Sequence, residues 1–326
     1  MFSFNTPNFI FRFSLGETDY QLGATDYERF AAEYAFFGRS VWQQTLNLTD
    51  EEKTELIRLL QENYRPENRV YRYNFFYDNC ATRPRDKIEE SIAGKVIYPA
   101  EPQDGSLTFR DIVHQYCKGH PWARFGIDLC IGSEADQPIT QRQMMFAPFY
   151  LMDAFDGAQI KGDSIQRPLI TANELIVDAT PEPDESDWMP TPLQCSLLFI
   201  LTAAATIYGI RRRTGLWGID LFLFGIAGIV GCVLAFLALF SQHPAVSSNF
   251  LLLVFHPGQL LFLPYIIYCV RKGKKCWYLT LNLAVLTLFI VLFPVIPQRF
   301  DFAVVPLALV LLIRSASNLI VTSKKK

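Results

Sequence analysis

Residues Leu216–Phe240 read L-W-G-I-D-L-F-L-F-G-I-A-G-I-V-G-C-V-L-A-F-L-A-L-F, a run whose single charge is Asp220. At about 1.5 Å of rise per residue, a helix of this length crosses the hydrocarbon core of a bilayer. Four further apolar stretches of similar length flank it: Leu193–Ile210, Phe250–Val270, Trp277–Ile296 and Phe302–Val321, the last interrupted by Arg314 and Asn318. The pattern predicts a bundle of about five spans over residues 193–323. Charges inside a membrane are costly, so Arg314 is expected to pair with Asp220.

Basic residues orient the bundle. Arg211, Arg212 and Arg213 follow the first span, Arg271, Lys272, Lys274 and Lys275 the third, and Lys324, Lys325 and Lys326 the fifth. The opposite ends, Ser241–Asn249 and Pro297–Asp301, carry only Arg299. The positive-inside rule makes the three clusters cytoplasmic, and an odd number of spans then puts the N-terminal region outside. Export of so long a region normally needs a leader, yet M-F-S-F-N-T-P-N-F-I-F-R-F has neither a charged n-region nor a continuous apolar core. The expectation is that residues precede Met1.

Residues 1–177 are mixed and globular, and 178–192 form an acidic, proline-rich linker. The net charge of −2 over 326 residues gives no bias toward nucleic acid. Within the globular part, Tyr71–Asp86 reads Y-R-Y-N-F-F-Y-D-N-C-A-T-R-P-R-D. Tyr71, Tyr73, Phe75 and Tyr77 alternate with period two, as in a half-buried strand, and Asp78 or Asn79 can cap a helix running toward Gly94. Cys80 then falls in the first helical turn. Free amides, the positive end of the helix dipole and Arg83 and Arg85 would favour its thiolate, and the same amides could hold an oxyanion.

Elsewhere Phe2–Phe13 reads as strand-rich, and Thr25 with Glu28 and Thr49 with Glu52 as capping boxes opening helices. Val41–Leu48 reads as a strand, Thr108–Tyr116 as a short helix, Trp122–Gly132 as a strand or turn, and Gln141–Phe155 as core. Of seven cysteines, only Cys80, Cys117 and Cys130 share the external region, so at most one pair can form. If Cys117 and Cys130 pair, Cys80 is the free thiol. No spacing suggests a zinc site. Four histidines could serve as a base. His114 reads as a surface or satisfied residue and His120 as part of a turn. His243, Asn249 and His256 lie near the outer membrane face and are candidate contacts to lipid, with Pro257 and Gly258 loosening the helix beside them; a polar kink packed in the bundle is the alternative for His256.

With these residues in view, the chain resembles the family carrying a DUF4105, or lipoprotein N-acyltransferase N-terminal periplasmic, domain, in its Bacteroidota-type membrane members. The resemblance rests on N-T-P-N-F-I-F-R-F-S-L-G-E-T-D-Y at Asn5–Tyr20, on Y-N-F-F-Y-D-N-C-A-T-R-P-R-D at Tyr73–Asp86, and on W-A-R-F-G-I-D-L-C-I-G-S-E-A-D at Trp122–Asp136 with M-F-A-P after it. It implies an α+β, permuted papain-like (NlpC/P60-like) periplasmic domain, incomplete at its N-terminus, followed by the bundle in a bacterial cytoplasmic membrane. The implied base is a histidine in a Gly-His segment that these residues lack. The implied activity is acyl transfer to the N-terminal cysteine of bacterial lipoproteins, giving a lyso-form, with no metal or cofactor. Cys80 is then the nucleophile, Asn79 and the amides after Cys80 shape the oxyanion site, Arg83 and Asp86 brace the loop with Asp78 and Thr82 in support, and lipoproteins and membrane lipids are the partners. Two other classes compete: a cell-wall peptidase or amidase of NlpC/P60 type, and a non-catalytic periplasmic sensor or assembly domain on a membrane anchor.

Overall fold

The computed structural model describes residues 7–99, 107–162, 166–179, 189–197 and 199–323. In chain order the elements are α1 (Phe9–Leu15), β1 (Asp19–Gln21), α2 (Tyr27–Phe36), β2 (Val41–Leu46), α3 (Asp50–Tyr64), β3 (Val70–Arg72), α4 (Thr82–Ser91), β4 (Lys95–Ile97), α5 (Phe109–Tyr116), α6 (Pro121–Cys130), α7 (Gln141–Met144) and α8 (Pro148–Asp156). There follow β5 (Gln159–Lys161), β6 (Gln166–Pro168), β7 (Ile170–Val177), α9 (Pro192–Leu197), α10 (Ile200–Arg212), α11 (Trp217–Phe240), α12 (Pro257–Leu261), α13 (Leu263–Lys272), α14 (Trp277–Leu292) and α15 (Val304–Ser323). They divide into a mixed unit, residues 1–112, 138–185 and 242–244, and a helical unit, residues 113–137, 186–241 and 245–326.

The mixed unit has three small antiparallel sheets among its described residues: β1 with β3, β2 with β7, and β4–β5–β6. Its core gathers Leu48, Ile92, Phe155, Ile160 and Leu169. A second apolar centre stacks Phe76 on Phe109 at 4.2 Å between ring centroids, with Phe146 edge-on to both. The Thr49–Glu52 capping box forms as expected and opens α3. Glu52 does more than cap: its carboxylate, 3% exposed, also accepts from the Ala93 amide and pairs with Arg167, tying α3 to β6.

Several local expectations are corrected. Phe9–Leu15 is helix rather than strand, because Asn8 and Gly16 in left-handed conformations close both ends of one short helical segment; residues 2–6 lie outside the described set. At α2 the cap position is Asp26, without a side-chain bond, so Thr25 and Glu28 make no box. Trp122–Gly132 is mostly helix, with Pro121 at its first position and Phe125 and Leu129 one turn apart against the helical core. Cys117 and Cys130 are both free thiols. Lys324–Lys326 and residues 180–188 of the linker lie outside the described residues.

Among the described residues of the helical unit, three helices are long and apolar enough to cross a membrane: Pro192–Arg212 (α9 with α10), Trp217–Phe240 (α11) and Val304–Thr322 within α15. The expected third span is not one helix. A 3-10 turn at Phe250–Leu253 leads through extended His256 into α12, and Phe250–Leu261 is bent by 74° from α13. Pro257 cannot donate to the ladder, and the freed groups find side chains, as when Gln259 Nε2 donates to the Val254 carbonyl at 2.8 Å. The fourth apolar helix, α14, stops at Leu292, four residues short of the expected end. Gly231 lets the break sit against α11: a Cβ there would lie 2.4 Å from the His256 nitrogen.

The expected ion pair forms. Arg314 donates from Nε and Nη2 to the two Asp220 oxygens at 2.7 and 2.9 Å, and from Nη1 to Thr206 at 3.0 Å. Both side chains are buried, at 4% and 2% exposure. On the side where α11 and α14 end, residues 129–136 hold the loops between spans. Asn249 donates to the Leu129 carbonyl at 2.7 Å, Gln298 to the Ile131 carbonyl at 3.2 Å, and Arg299 pairs with Asp136 at 2.9 Å.

Candidate functional site

Val70–Arg72 pairs with β1, but the strand expected through Tyr77 ends there. Asn74 and Asp78 exchange both backbone hydrogen bonds at 3.0 Å, and the Tyr77 amide donates to Asn74 Oδ1, so a tight turn carries the chain to Asn79. This turn buries Phe76 while leaving Cys80 exposed.

Asn79 organises the start of α4. Its Oδ1 accepts from the Ala81 and Thr82 amides at 2.8 and 3.0 Å, at the entry to the helix, and its Nδ2 donates to the Phe75 and Phe146 carbonyls at 2.8 and 2.9 Å. Its own amide donates to Thr82 Oγ1 at 2.8 Å. The side chain, in a residue 3% exposed, therefore has both donors and its acceptor oxygen engaged. This corrects the expectation that Asn79 and the amides after Cys80 form an oxyanion site: those groups are taken up by the turn itself. Among the described residues no hydrogen bond is formed by the Cys80 N–H. Cys80 also sits one residue before the cap residue Ala81 rather than inside the first turn.

The arginines are neutralised locally. Arg83 forms a fork to Asp78 at 2.6 and 2.7 Å and lies 3.4 Å above the Tyr71 ring centroid. Arg85, buried, pairs with Asp86 and donates to the Arg142 carbonyl, while Arg142 bridges Asp86 and Glu89 at 2.7 and 2.8 Å. Asp78 and Arg83 are paired across the turn, Asp86 is paired with Arg85 and Arg142, and Thr82 is bonded to Asn79.

A tyrosine cluster beside the cysteine went unforeseen in the sequence. Tyr20 lies across the β1–β3 ladder from Tyr71, with ring centroids 5.7 Å apart, and 5.2 Å from Tyr73. Tyr73 is an electrostatic neighbour of Cys80. Burial, then the neighbouring Cys80, pushes the Tyr73 phenol well above its ordinary range, and burial pushes Tyr71 up to about 12. Both stay protonated at neutral pH, so Tyr73 can donate to a sulfur anion. The spacing of Tyr71 and Tyr73, two apart on one face ahead of the cysteine, was the available signal. A cleft of about 610 Å³ opens at Cys80, lined by Tyr20, Tyr71 and Arg83, by Arg29, Phe30 and Tyr34 of α2, and by Lys87 of α4.

Of the four histidines, none lines this cleft. His114 Nε2 is 2.8 Å from Asp128 Oδ1, His120 precedes α6, and His243 Nε2 bonds the Phe13 carbonyl at 2.6 Å. His256 meets Asn282 Oδ1 at 3.1 Å, and Asn282 in turn donates to Ser315. Asn249 caps a turn and braces α6, and His256 is part of a polar kink inside the bundle.

Residues 2–114 match the family model described as the Lnb N-terminal periplasmic domain, and residues 184–326 match the Lnb transmembrane domain. Together they support a Lnb-type membrane protein. No curated protein and no solved structure matches the chain. The Lnb-type organisation makes the domain that carries Cys80 periplasmic and the helical region of the chain transmembrane.

Proposed function

We propose that the chain is a membrane-bound acyltransferase that acts on the N-terminal cysteine of bacterial lipoproteins through a thioester on Cys80. The observation that carries this reading is an exposed thiol lining a 610 Å³ cleft, directly before a helix N-terminus, with a protonated tyrosine as its neighbour. The thiolate attacks the ester carbonyl of a lipoprotein's own glyceryl ester. The C–S bond forms, the ester C–O bond breaks, and the alkoxide takes a proton to leave a lyso hydroxyl. The free α-amine then attacks the thioester, forming the amide, releasing the thiolate and losing a proton to a base. During attack, the Cys80 amide is the donor nearest the developing oxyanion, and Tyr73 holds the sulfur anion. The family resemblance assigns the base to a histidine of a Gly-His segment.

The same reading takes the mixed unit as permuted papain-like, with the nucleophile at a helix start beside antiparallel strands. It takes the helical unit as five spans, counting α12 with α13 as one and α14 as another, in the cytoplasmic membrane with α15 ending inside. The basic ends of α10 and α13 support that orientation. The test is mass spectrometry of lipoprotein N-termini in cells carrying wild-type protein or Cys80→Ala. Loss of the amide-linked chain in Cys80→Ala, with a hydroxylamine-labile acyl adduct on the Cys80 peptide of the wild type, is expected. Unchanged N-termini sink the proposal, and altered muropeptides point instead to the cell-wall reaction.

A further inference from the structure

Among the described residues, two buried side-chain polar atoms have no hydrogen-bond partner: Gln259 Oε1 and the Tyr278 hydroxyl. Their residues are closed off, at 0% and 3% exposure, and they meet at one place in the helical unit. Gln259 is in α12, and Tyr278 of α14 stacks on Phe262, the residue after α12, with ring centroids 4.8 Å apart. Nearly every buried polar group in a folded protein is paired, because leaving one unpaired is costly.

The neighbours fix what each group offers. Gln259 Nε2 donates to the Val254 carbonyl at 2.8 Å, which leaves Oε1 as an acceptor. Ser315 Oγ donates to the Leu311 carbonyl and so accepts from Asn282 Nδ2, leaving Asn282 Oδ1 to accept from His256 Nε2 at 3.1 Å. In the neutral ring this chain assigns the proton to Nε2 and makes Nδ1 an acceptor. Gly258 keeps the space beside these groups free: a Cβ there would stand 3.0 Å from His256 Nδ1 and 3.2 Å from the Tyr278 hydroxyl.

We propose that the start of α12 holds one ordered water molecule beside Gly258, which accepts from the Tyr278 hydroxyl and donates to His256 Nδ1 and Gln259 Oε1. One donor and two acceptors match the bonds of a water, and three is the number a buried water ordinarily makes. A cation suits the set less well, since none of the three groups carries a negative charge. The water extends the polar chain from Tyr278 through His256, Asn282 and Ser315, and so ties α12 to α14 and α15. The inference is independent of the reaction at Cys80.

The test is water-edited solid-state NMR of the full chain, isotopically labelled at tyrosine and histidine, in vesicles of phosphatidylethanolamine and phosphatidylglycerol. Magnetisation is expected to pass from water protons to the His256 and Tyr278 rings. Transfer to His256 should fall several-fold in Tyr278→Phe, which removes only a hydroxyl, and in Gly258→Ala, which fills the seat. The Nε2–H signal, set by Asn282, should stay in place; if Gly258→Ala disturbs it, Tyr278→Phe alone decides. Rings that receive nothing from water in the wild-type protein overturn the proposal. So does transfer to His256 that the substitutions leave unchanged, since water would then reach the ring by another route.

Discussion

Replacing Asn79 by alanine distinguishes a catalytic amide from a structural one. In the structure, Asn79→Ala removes two acceptor bonds at the start of α4 and two donor bonds to the Phe75 and Phe146 carbonyls. Loss of a helix cap costs about 1–2 kcal/mol. Each buried carbonyl left without a donor costs roughly 1–3 kcal/mol more, reduced where the turn relaxes. The expected loss is therefore about 3–5 kcal/mol, a large part of the ~5–15 kcal/mol that holds an ordinary domain. Asn79→Asp should recover little of it: the carboxylate still caps the two amides but sets a charged oxygen against two carbonyls. Urea-dependent pulse proteolysis of the reconstituted protein, scored on fragments of the mixed unit, measures both variants. If Asn79→Ala unfolds within about 0.5 kcal/mol of wild type, the four bonds do not hold the turn and the reasoning fails.

Tyr73→Phe removes the phenol that neighbours Cys80; if that phenol donates to the sulfur anion, a bond to a charged group that contributes about 1.5–3 kcal/mol, alkylation of Cys80 by iodoacetamide at pH 7 should slow about ten-fold without a change in unfolding. At Glu52, burial alone would raise the carboxyl, but the Arg167 hydrogen bond and charge, with the Thr49 and Ala93 amides, outweigh it, so the folded group titrates below its ordinary value. Its stabilisation is then present above the unfolded pKa of about 4.3 and is lost as pH falls through the lower folded value, so the stability gap between wild type and Glu52→Gln should close below pH 4 in denaturant titrations. Asp220→Ala leaves Arg314 buried without its carboxylate and should cost about 3–5 kcal/mol, whereas Asp220→Leu with Arg314→Leu should cost less than either single change, read by thermal stability in nanodiscs.

Features set by composition over a long stretch, or by one local bond pattern, were legible in the sequence. The spans at α11 and α15 follow from apolar runs, the α3 start from Thr49 and Glu52, and the Asp220–Arg314 pair from the cost of a lone charge in lipid. Features decided by tertiary partners were not. The alternation at Tyr71–Tyr77 reads as one strand, but Asn74 and Asp78 close a turn so that Phe76 can stack on Phe109, a residue over thirty positions away. Arg83 and Arg85 look like a positive field at Cys80 until their pairing with Asp78 and Asp86 is seen. The break in the third span was legible only as a loosening at Pro257 and Gly258. Its geometry depends on the absence of a side chain at Gly231 of another helix.

The buried Arg314–Asp220 pair also sets an order of biosynthesis. The two residues are 94 positions apart, so at about 5–20 residues per second the ribosome delivers the carboxylate many seconds before the guanidinium. Through that interval α11 carries an acid with no cation to meet it, and α10 holds Thr206 without its donor. Only the last helix completes the set. A nascent chain that stops before Arg314 therefore carries an unfinished polar site within its helical unit.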